Sequence, residues 1–339
     1  MKTSSFRNRL LVAVLASTTQ ILAADLDVRV ADGTDAAMLV NVDAIRQSGA
    51  DISGFFLAAI DESVRAGTFG EKTGKGMKDF GRMLAKKAKD AGVMPEDVHW
   101  MLSALQAKEF FVNDRHSITQ QVWSVAMAVD GCDWERIGNV AVDSGLEWQK
   151  DSVFGHRVFT AVAKRGKLTR YNVRCVPGGD KMAYFGAGAS REWECYNAGA
   201  FQDARFSSIG RLAGNEILRI VLVDDKPLSK MARHHYRGLY PLGAEPVPDR
   251  VRCFRLSLFF DGQGVSSELV FACADELDAG VLAKAYLDMK ATDGIPDMEV
   301  SCKGNVVDVK AGNRATKSAL IALFGSIGSL LDFFETFFR

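Results

Sequence analysis

Two periodicities divide this chain. Alternation at every second residue predicts strands at Leu26 to Val30, Ala37 to Val42, Val122 to Val129, Arg157 to Ala163, Leu168 to Val176, Lys181 to Phe185 and Ile217 to Val223. Apolar residues spaced three and four apart predict helices. Ile52, Phe55, Phe56, Ala59, Ile60 and Val64 form one stripe, and Met77, Phe80, Met83, Leu84 and Ala88 form the next. Val98, Met101, Leu102 and Leu105 form a third, entered through Pro95, whose missing N–H costs nothing in a first turn. Asp32-Gly33-Thr34-Asp35 predicts a turn, 67–76 a loop and Ala204 to Arg211 a connector. Short helices are expected around Trp134 to Ala141, from near Ser190, and after Asp224-Asp225-Lys226-Pro227.

Residues 251–260 and 265–274 predict a hairpin around Asp261-Gly262-Gln263-Gly264. Setting Phe260 opposite Val265 puts Phe254 opposite Phe271 and Leu256 opposite Leu269, which makes one apolar face. A helix from Ala274 to Lys290, strands Met298 to Cys302 and Val306 to Val309, and a terminal helix follow.

The element order predicts an α+β fold of two divergent repeats. Each would be a mostly antiparallel sheet with helices packed on one face. Met38 to Gly49 parallels Arg219 to Lys230, Ser124 to Gly131 parallels Arg255 to Gly262, and Tyr184 to Phe201 parallels Asp308 to Phe324. The falling offsets put an extra helical insert, about 46–118, in the first repeat. The expected units are 25–211 and 212–339, the second ending in an apolar C-terminal helix.

The first 24 residues have the order of a secretory signal peptide: Lys2, Arg7 and Arg9, then the apolar run Leu10 to Ala16, then small residues ending at Ala23-Ala24. The run is too short for a membrane span, which needs about 20 residues. Cutting after Ala23 and cutting after Ala24 both satisfy the small-residue requirement. The expectation is an exported bacterial protein, periplasmic or extracellular, with no transmembrane segment after signal cleavage. The absence of an Asn-x-Ser/Thr acceptor agrees with a bacterial source.

Composition is that of a globular protein, with 47% hydrophobic and 25% charged residues. The 42 basic and 42 acidic residues cancel, and loss of Lys2, Arg7 and Arg9 leaves an acidic excess. Nucleic-acid binding calls for a basic excess, so no nucleic acid is expected as a partner.

Cys132, Cys175, Cys195, Cys253, Cys273 and Cys302 contain no Cys-x-x-Cys pair. The hairpin register turns Cys273 onto the apolar face and Cys253 away from it, so those two cannot bond. Buried thiols behaving as small hydrophobes are expected. Cys273 with Cys302 is the first pair to examine for a disulfide.

Known catalytic signatures are missing. Gly70-Glu71-Lys72-Thr73-Gly74-Lys75-Gly76 has three residues between its glycines where a phosphate loop has four, and Gly76 replaces the magnesium-binding hydroxyl. It reads as a flexible basic loop. There is no Gly-x-Ser-x-Gly elbow and no His-Glu-x-x-His helix. The histidines are His99, His116, His156, His234 and His235, none at a chelating spacing, so neither metal nor cofactor is expected. Arg233-His234-His235-Tyr236-Arg237 is the densest polar cluster and the candidate ligand-binding segment, suited to an anion or a sugar. The competing explanation is an exposed helix end, where cations favour the last carbonyls. Asp43, Asp130, Asp224, Asp225 and Asp261 each close a predicted strand. Turn formation accounts for them, whereas acid–base chemistry would require that they converge.

Ala319 to Leu331 carries no charge and is followed by Phe333, Phe334, Phe337 and Phe338 around Asp332 and Glu335. A terminal helix completing the core is expected, the alternative being a surface for a protein or envelope partner. The sequence therefore points to a non-enzymatic binding or envelope-associated module. The alternatives are a periplasmic hydrolase assembled from His234, His235 and the strand-end aspartates, and a carrier of an apolar ligand.

Overall fold

The structure is a computed structural model. It describes residues 23–26, 28–49, 57, 58, 60, 61, 64, 65, 70–90, 92, 94–113, 116–130, 147–153, 156–165, 168–177, 182–187, 203–223, 251–260, 264–313 and 316.

Alternating side chains fix the first elements. β1 (Ala23–Asp25) is followed by β2 (Ala36–Asn41), which runs into helix α1 (Val42–Ser48). Asn41 caps α1 by accepting a hydrogen bond from the Ala44 N–H at 3.1 Å, and Gly49 closes it at φ 64°, a backbone region that suits glycine. Helix α2 (Glu71–Asp90) comes next, then strands β3 (Val98–Asn113) and β4 (His116–Val129). β5 (Glu147–Val153), β6 (His156–Arg165), β7 (Leu168–Pro177) and β8 (Met182–Ala187) form successive antiparallel pairs. β9 (Arg211–Ala213) and β10 (Glu216–Val223) precede the hairpin of β11 (Val251–Phe260) and β12 (Val265–Cys273). Helix α3 (Glu276–Asp293), β13 (Met298–Lys303) and β14 (Val306–Ala311) end the described chain.

The fold is α+β. One antiparallel sheet of twelve strands runs in the order β13-β14-β12-β11-β10-β2-β3-β4-β8-β7-β6-β5, and β1 pairs with β9 in a separate two-stranded sheet. The halves of the chain meet at β2 and β10, so they share one sheet. The hairpin register is the expected one, with Phe260 opposite Val265, Leu256 opposite Leu269 and Phe254 opposite Phe271. Cys273 lies in the core beneath α3, while Cys253 packs on the opposite side of the sheet.

Each face of the sheet has its own core. On one face α3 lays Leu282, Ala283 and Tyr286 over Phe254, Leu256, Phe271 and Val309. The Phe254 and Phe271 rings lie 5.2 Å apart and those of Phe271 and Tyr286 5.8 Å. Burying each such side chain contributes about 1.5–3 kcal/mol. Asp275 caps α3 through the Asp278 N–H at 2.9 Å, and Gly294 ends it at φ 58°. Ala44 and Ile45 of α1 join the same core. On the other face Val30, Phe206, Ile209 and Leu212 cover Leu39, Trp100, Leu102 and Val221.

Four local expectations are corrected. The segment from Pro95 is a short 3-10 turn (Pro95–Asp97) followed by strand β3, so the helical part of the 46–118 insert does not reach 118. Apolar residues on both sides of an interior strand mimic a helical stripe, and pairing with β2 and β4 decides the outcome: Trp100, Leu102 and Ala104 are buried while Met101 is exposed. The 67–76 loop is helical from Glu71, with the Gly74 N–H donating to the Gly70 carbonyl at 3.1 Å. The glycines lower helix propensity without abolishing it. The first strand is Ala23–Asp25 rather than Leu26 to Val30, because β9 supplies an edge only as far as Asp25. Glu147–Val153 is a strand that its charged and polar composition concealed.

Candidate functional site

Three side chains converge where β2, β3 and β4 end together. Asp43 is the second residue of α1, Asp130 follows the last residue of β4, and His99 is the second residue of β3. Antiparallel pairing of β3 with both neighbours brings their ends to one edge. A register shift lies between Val98, opposite Val129, and Trp100, opposite Ala128, so His99 is the unpaired extra residue of a bulge. Bulges re-aim a side chain in this way.

The imidazole bridges the two carboxylates. Nδ1 lies 3.0 Å from Asp43 Oδ2, and Nε2 lies 2.9 Å from Asp130 Oδ2. Both partners are acceptors, so the ring satisfies both bonds only as the imidazolium, with a proton on each nitrogen. Hydrogen bonding to Asp130 first, then to Asp43, raises the His99 pKa above 6.5 against the opposing effect of burial. Arg46, one turn along α1, donates to Asp43 Oδ1, to the Val98 carbonyl at 2.9 Å and to the Glu96 carbonyl. The Asp130 N–H donates to the Asp97 carbonyl at 2.9 Å. The cluster is half-exposed, with side-chain exposures of 40% for His99, 38% for Asp43 and 56% for Asp130.

This geometry ties together the ends of β2, β3 and β4. A ring whose two nitrogens face carboxylates has none left to take a substrate proton or hold a metal. Among the described residues, no group of three or more His, Cys, Asp or Glu side chains is arranged to hold a metal ion.

The structure brings together Asp43 and Asp130, which sequence treated as separate turn formers, and adds His99. A misread helix hid His99. Recognising β2, β3 and β4 as antiparallel neighbours would have placed all three residues at one edge. The segment Arg233, His234, His235, Tyr236, Arg237 lies outside the described residues, as do Asp224, Asp225, Asp261, the helices expected near Trp134 and Ser190, and the segment Ala319 to Phe338.

The fold defined by these elements is an α+β protein with one large antiparallel sheet. No family model and no curated protein matches the chain. Among solved structures, crystal form I of TP0453 is similar at 10% identity and a TM-score of 0.46, over 88% of this chain and 95% of that chain. Crystal form III of TP0453 gives 9% identity and a TM-score of 0.45, over 88% of this chain and 96% of that one.

Proposed function

We propose that this chain is an exported bacterial binding or envelope-associated module without enzymatic activity, built from two divergent copies of one α+β unit. The observation that carries the non-enzymatic reading is the closed imidazole of His99, where acid–base residues converge but leave no nitrogen for a substrate. The test is a panel of fluorogenic esters, phosphates, peptides and glycosides offered to the wild type and to His99→Gln. No turnover is expected from either. Turnover by either protein overturns the reading, and its loss in His99→Gln would place the activity at His99.

The duplication is supported by topology, register and a shared bulge. Outward from β2 the strands run β2-β3-β4-β8-β7, and outward from β10 they run β10-β11-β12-β14-β13. Met38 and Ile220 are direct partners. From Met38 the row continues through Ser103, Val125, Phe185 and Cys175. From Ile220 it continues through Leu256, Leu269, Val309 and Val300. Phe185 and Val309 stand in the spacing that sets Ala187-Gly188 against Ala311-Gly312. The bulge between Val98 and Trp100 has its counterpart between Val251 and Cys253. Two sequence matches shift in this register. Alternation requires matched residues to share a face, which sets Met38 against Ile220 rather than Arg219. β4 corresponds to β12 rather than β11.

Export through residues 1–24 is part of the same proposal. It leaves Asp25 opposite Arg211 and the Leu26 N–H on the Gly210 carbonyl whether the cut follows Ala23 or Ala24. Among the described residues no helix is long and apolar enough to cross a membrane. The intact mass of material exported by a bacterial host tests the cut; an uncut chain overturns it.

A further inference from the structure

The twelve-stranded sheet ends at β13, and a row of charges ends with it. Glu268 of β12, Lys310 of β14 and Glu299 of β13 stand opposite one another in register. Lys310 Nζ lies 4.0 Å from Glu268 Oε1. The signs alternate outward over three strands and stop at Glu299, which is exposed, as are Ser301, Cys302 and Lys303.

The backbone of β13 is open on its outer side. Lys303 pairs with Val306 across the two-residue turn Gly304-Asn305, and the closing pair of such a turn shares two hydrogen bonds. The Cys273 N–H donates to the Asn305 carbonyl at 2.8 Å, which sets the same phase from the β12 side. Bonded residues alternate along an antiparallel pair. Glu299, Ser301 and Lys303 therefore bond to β14, and the N–H and C=O groups of Val300 and Cys302 point to the edge. Among the described residues β13 has no second strand neighbour.

We propose that β13 pairs antiparallel with β13 of a second copy of this chain, about a two-fold axis at Ser301. That register sets Glu299 opposite the partner's Lys303 and Val300 opposite the partner's Cys302. Val300 and Cys302, whose backbone is open, then supply the hydrogen-bonded pairs, as the alternation requires. Centring on Val300 or on Cys302 keeps the bonding phase but sets Glu299 or Lys303 opposite the partner's Ser301, and both ion pairs are lost. Short length and lysine commonly protect an edge. Here glutamate and lysine four residues apart make the edge complementary to itself, and the alternating row runs on through Glu268, Lys310, Glu299 and the partner's Lys303. Met298 and Val300 face the α3 core, so the axis puts both copies of α3 on one face of the joined sheet. A six-residue strand buries less than the roughly 800 Å² per partner of a stable interface, so the dimer is expected to be weak, dissociating in the micromolar range or above. The pairing depends on neither the duplication nor the export proposed above.

The experiment is sedimentation equilibrium of the full chain, up to hundreds of micromolar. The proteins are the wild type, Glu299→Lys, Glu299→Lys with Lys303→Glu, and Cys302→Pro. The wild type is expected to form a reversible dimer. Glu299→Lys should weaken it by at least about tenfold, and the double exchange should restore it. Cys302→Pro removes an N–H that β14 does not use, so a folded monomer that no longer dimerises is expected. A wild type that is monomeric throughout, or that grows past the dimer, overturns the proposal. So does a dimer left intact by Glu299→Lys or by folded Cys302→Pro, or a double exchange that stays monomeric. Should Cys302→Pro fail to fold, the charge exchange still decides the matter.

Discussion

Met38 in β2 and Ile220 in β10 stand directly opposite each other, joining the two halves of the chain across one sheet. Ile220 is buried in the core on the α3 face, while Met38 is partly exposed. The pair sits inside the twelve-stranded sheet, with five strands from β10 to one edge and seven from β2 to the other. Its substitution would perturb the junction of the halves rather than either half alone.

Gly210 has no room for a side chain. An added Cβ would lie 2.3 Å from the Leu26 carbonyl oxygen, against backbone that cannot swing away. Gly210→Ala is expected to break the 3.0 Å bond from the Leu26 N–H and to cost about 1–3 kcal/mol. Urea denaturation measures the loss, and faster amide exchange at 23–26 locates it.

Glu216 and Arg219 form a buried ion pair, 1% and 8% exposed. The register shift between Glu216 and Leu218 brings these two residues of β10 to the same side. Arg219 Nε and Nη2 meet the carboxylate at 2.7 and 2.6 Å, and Nη1 donates to the Ser208 and Arg211 carbonyls at 2.7 and 2.9 Å. Glu216→Gln strands the guanidinium, and Arg219→Met strands the carboxylate. Each is expected to cost about 3–5 kcal/mol, and the double variant Glu216→Leu with Arg219→Met less than the sum. A double-mutant cycle in guanidinium chloride gives the coupling.

Asp203 links acid stability to the cover of the second core. Its N–H donates to the Val30 carbonyl at 2.8 Å, and its carboxylate accepts from Arg205 Nε at 2.9 Å. Burial is the largest single influence and raises its pKa, but the hydrogen bonds and charge of Arg205 together with a backbone hydrogen bond from Gly33 outweigh it and hold the carboxyl below 3.8. A depressed carboxylate stabilises the fold above its unfolded pKa, and that stability is lost as pH falls through the folded value. Asp203→Asn is therefore expected to be less stable at pH 7 and to lose less on acidification below about pH 4. Unfolding midpoints between pH 2 and 7 check both slopes.

Cys273 and Cys302 should respond differently to a thiol reagent. Both are free, separated across the sheet by β14, and Cys273 is buried with its thiol pushed up to about 11, mainly by burial. Cys302 is exposed. A maleimide is expected to label Cys302 within minutes and Cys273 only after unfolding. Peptide mapping distinguishes the sites, and equal labelling in the native protein would contradict this placement.

The register of β11 and β12 was legible from Cys253 to Phe260, because one apolar face admits one register: a slip of one would turn Phe254, Leu256, Leu269 and Phe271 away from α3; the irregularity at Arg252 was not. Helix α3 and the pair β13–β14 were legible for similar reasons. β3 was not, because an interior strand with apolar residues on both faces carries no clear period. The site at His99 was hidden by the same error, since its three residues are far apart in sequence.

The sequence by itself determined the α+β class, most strand positions and the opposite facing of Cys253 and Cys273. These depend on side-chain alternation and backbone preference, which are local. Only the tertiary structure decided that the two halves share a sheet through Met38 and Ile220, that Val98–Asn113 is a strand, and that Asp43 in α1 and Asp130 after β4 close on one imidazole. Each of these depends on which strands become neighbours, and that is set by packing and hydrogen bonding between segments distant along the chain.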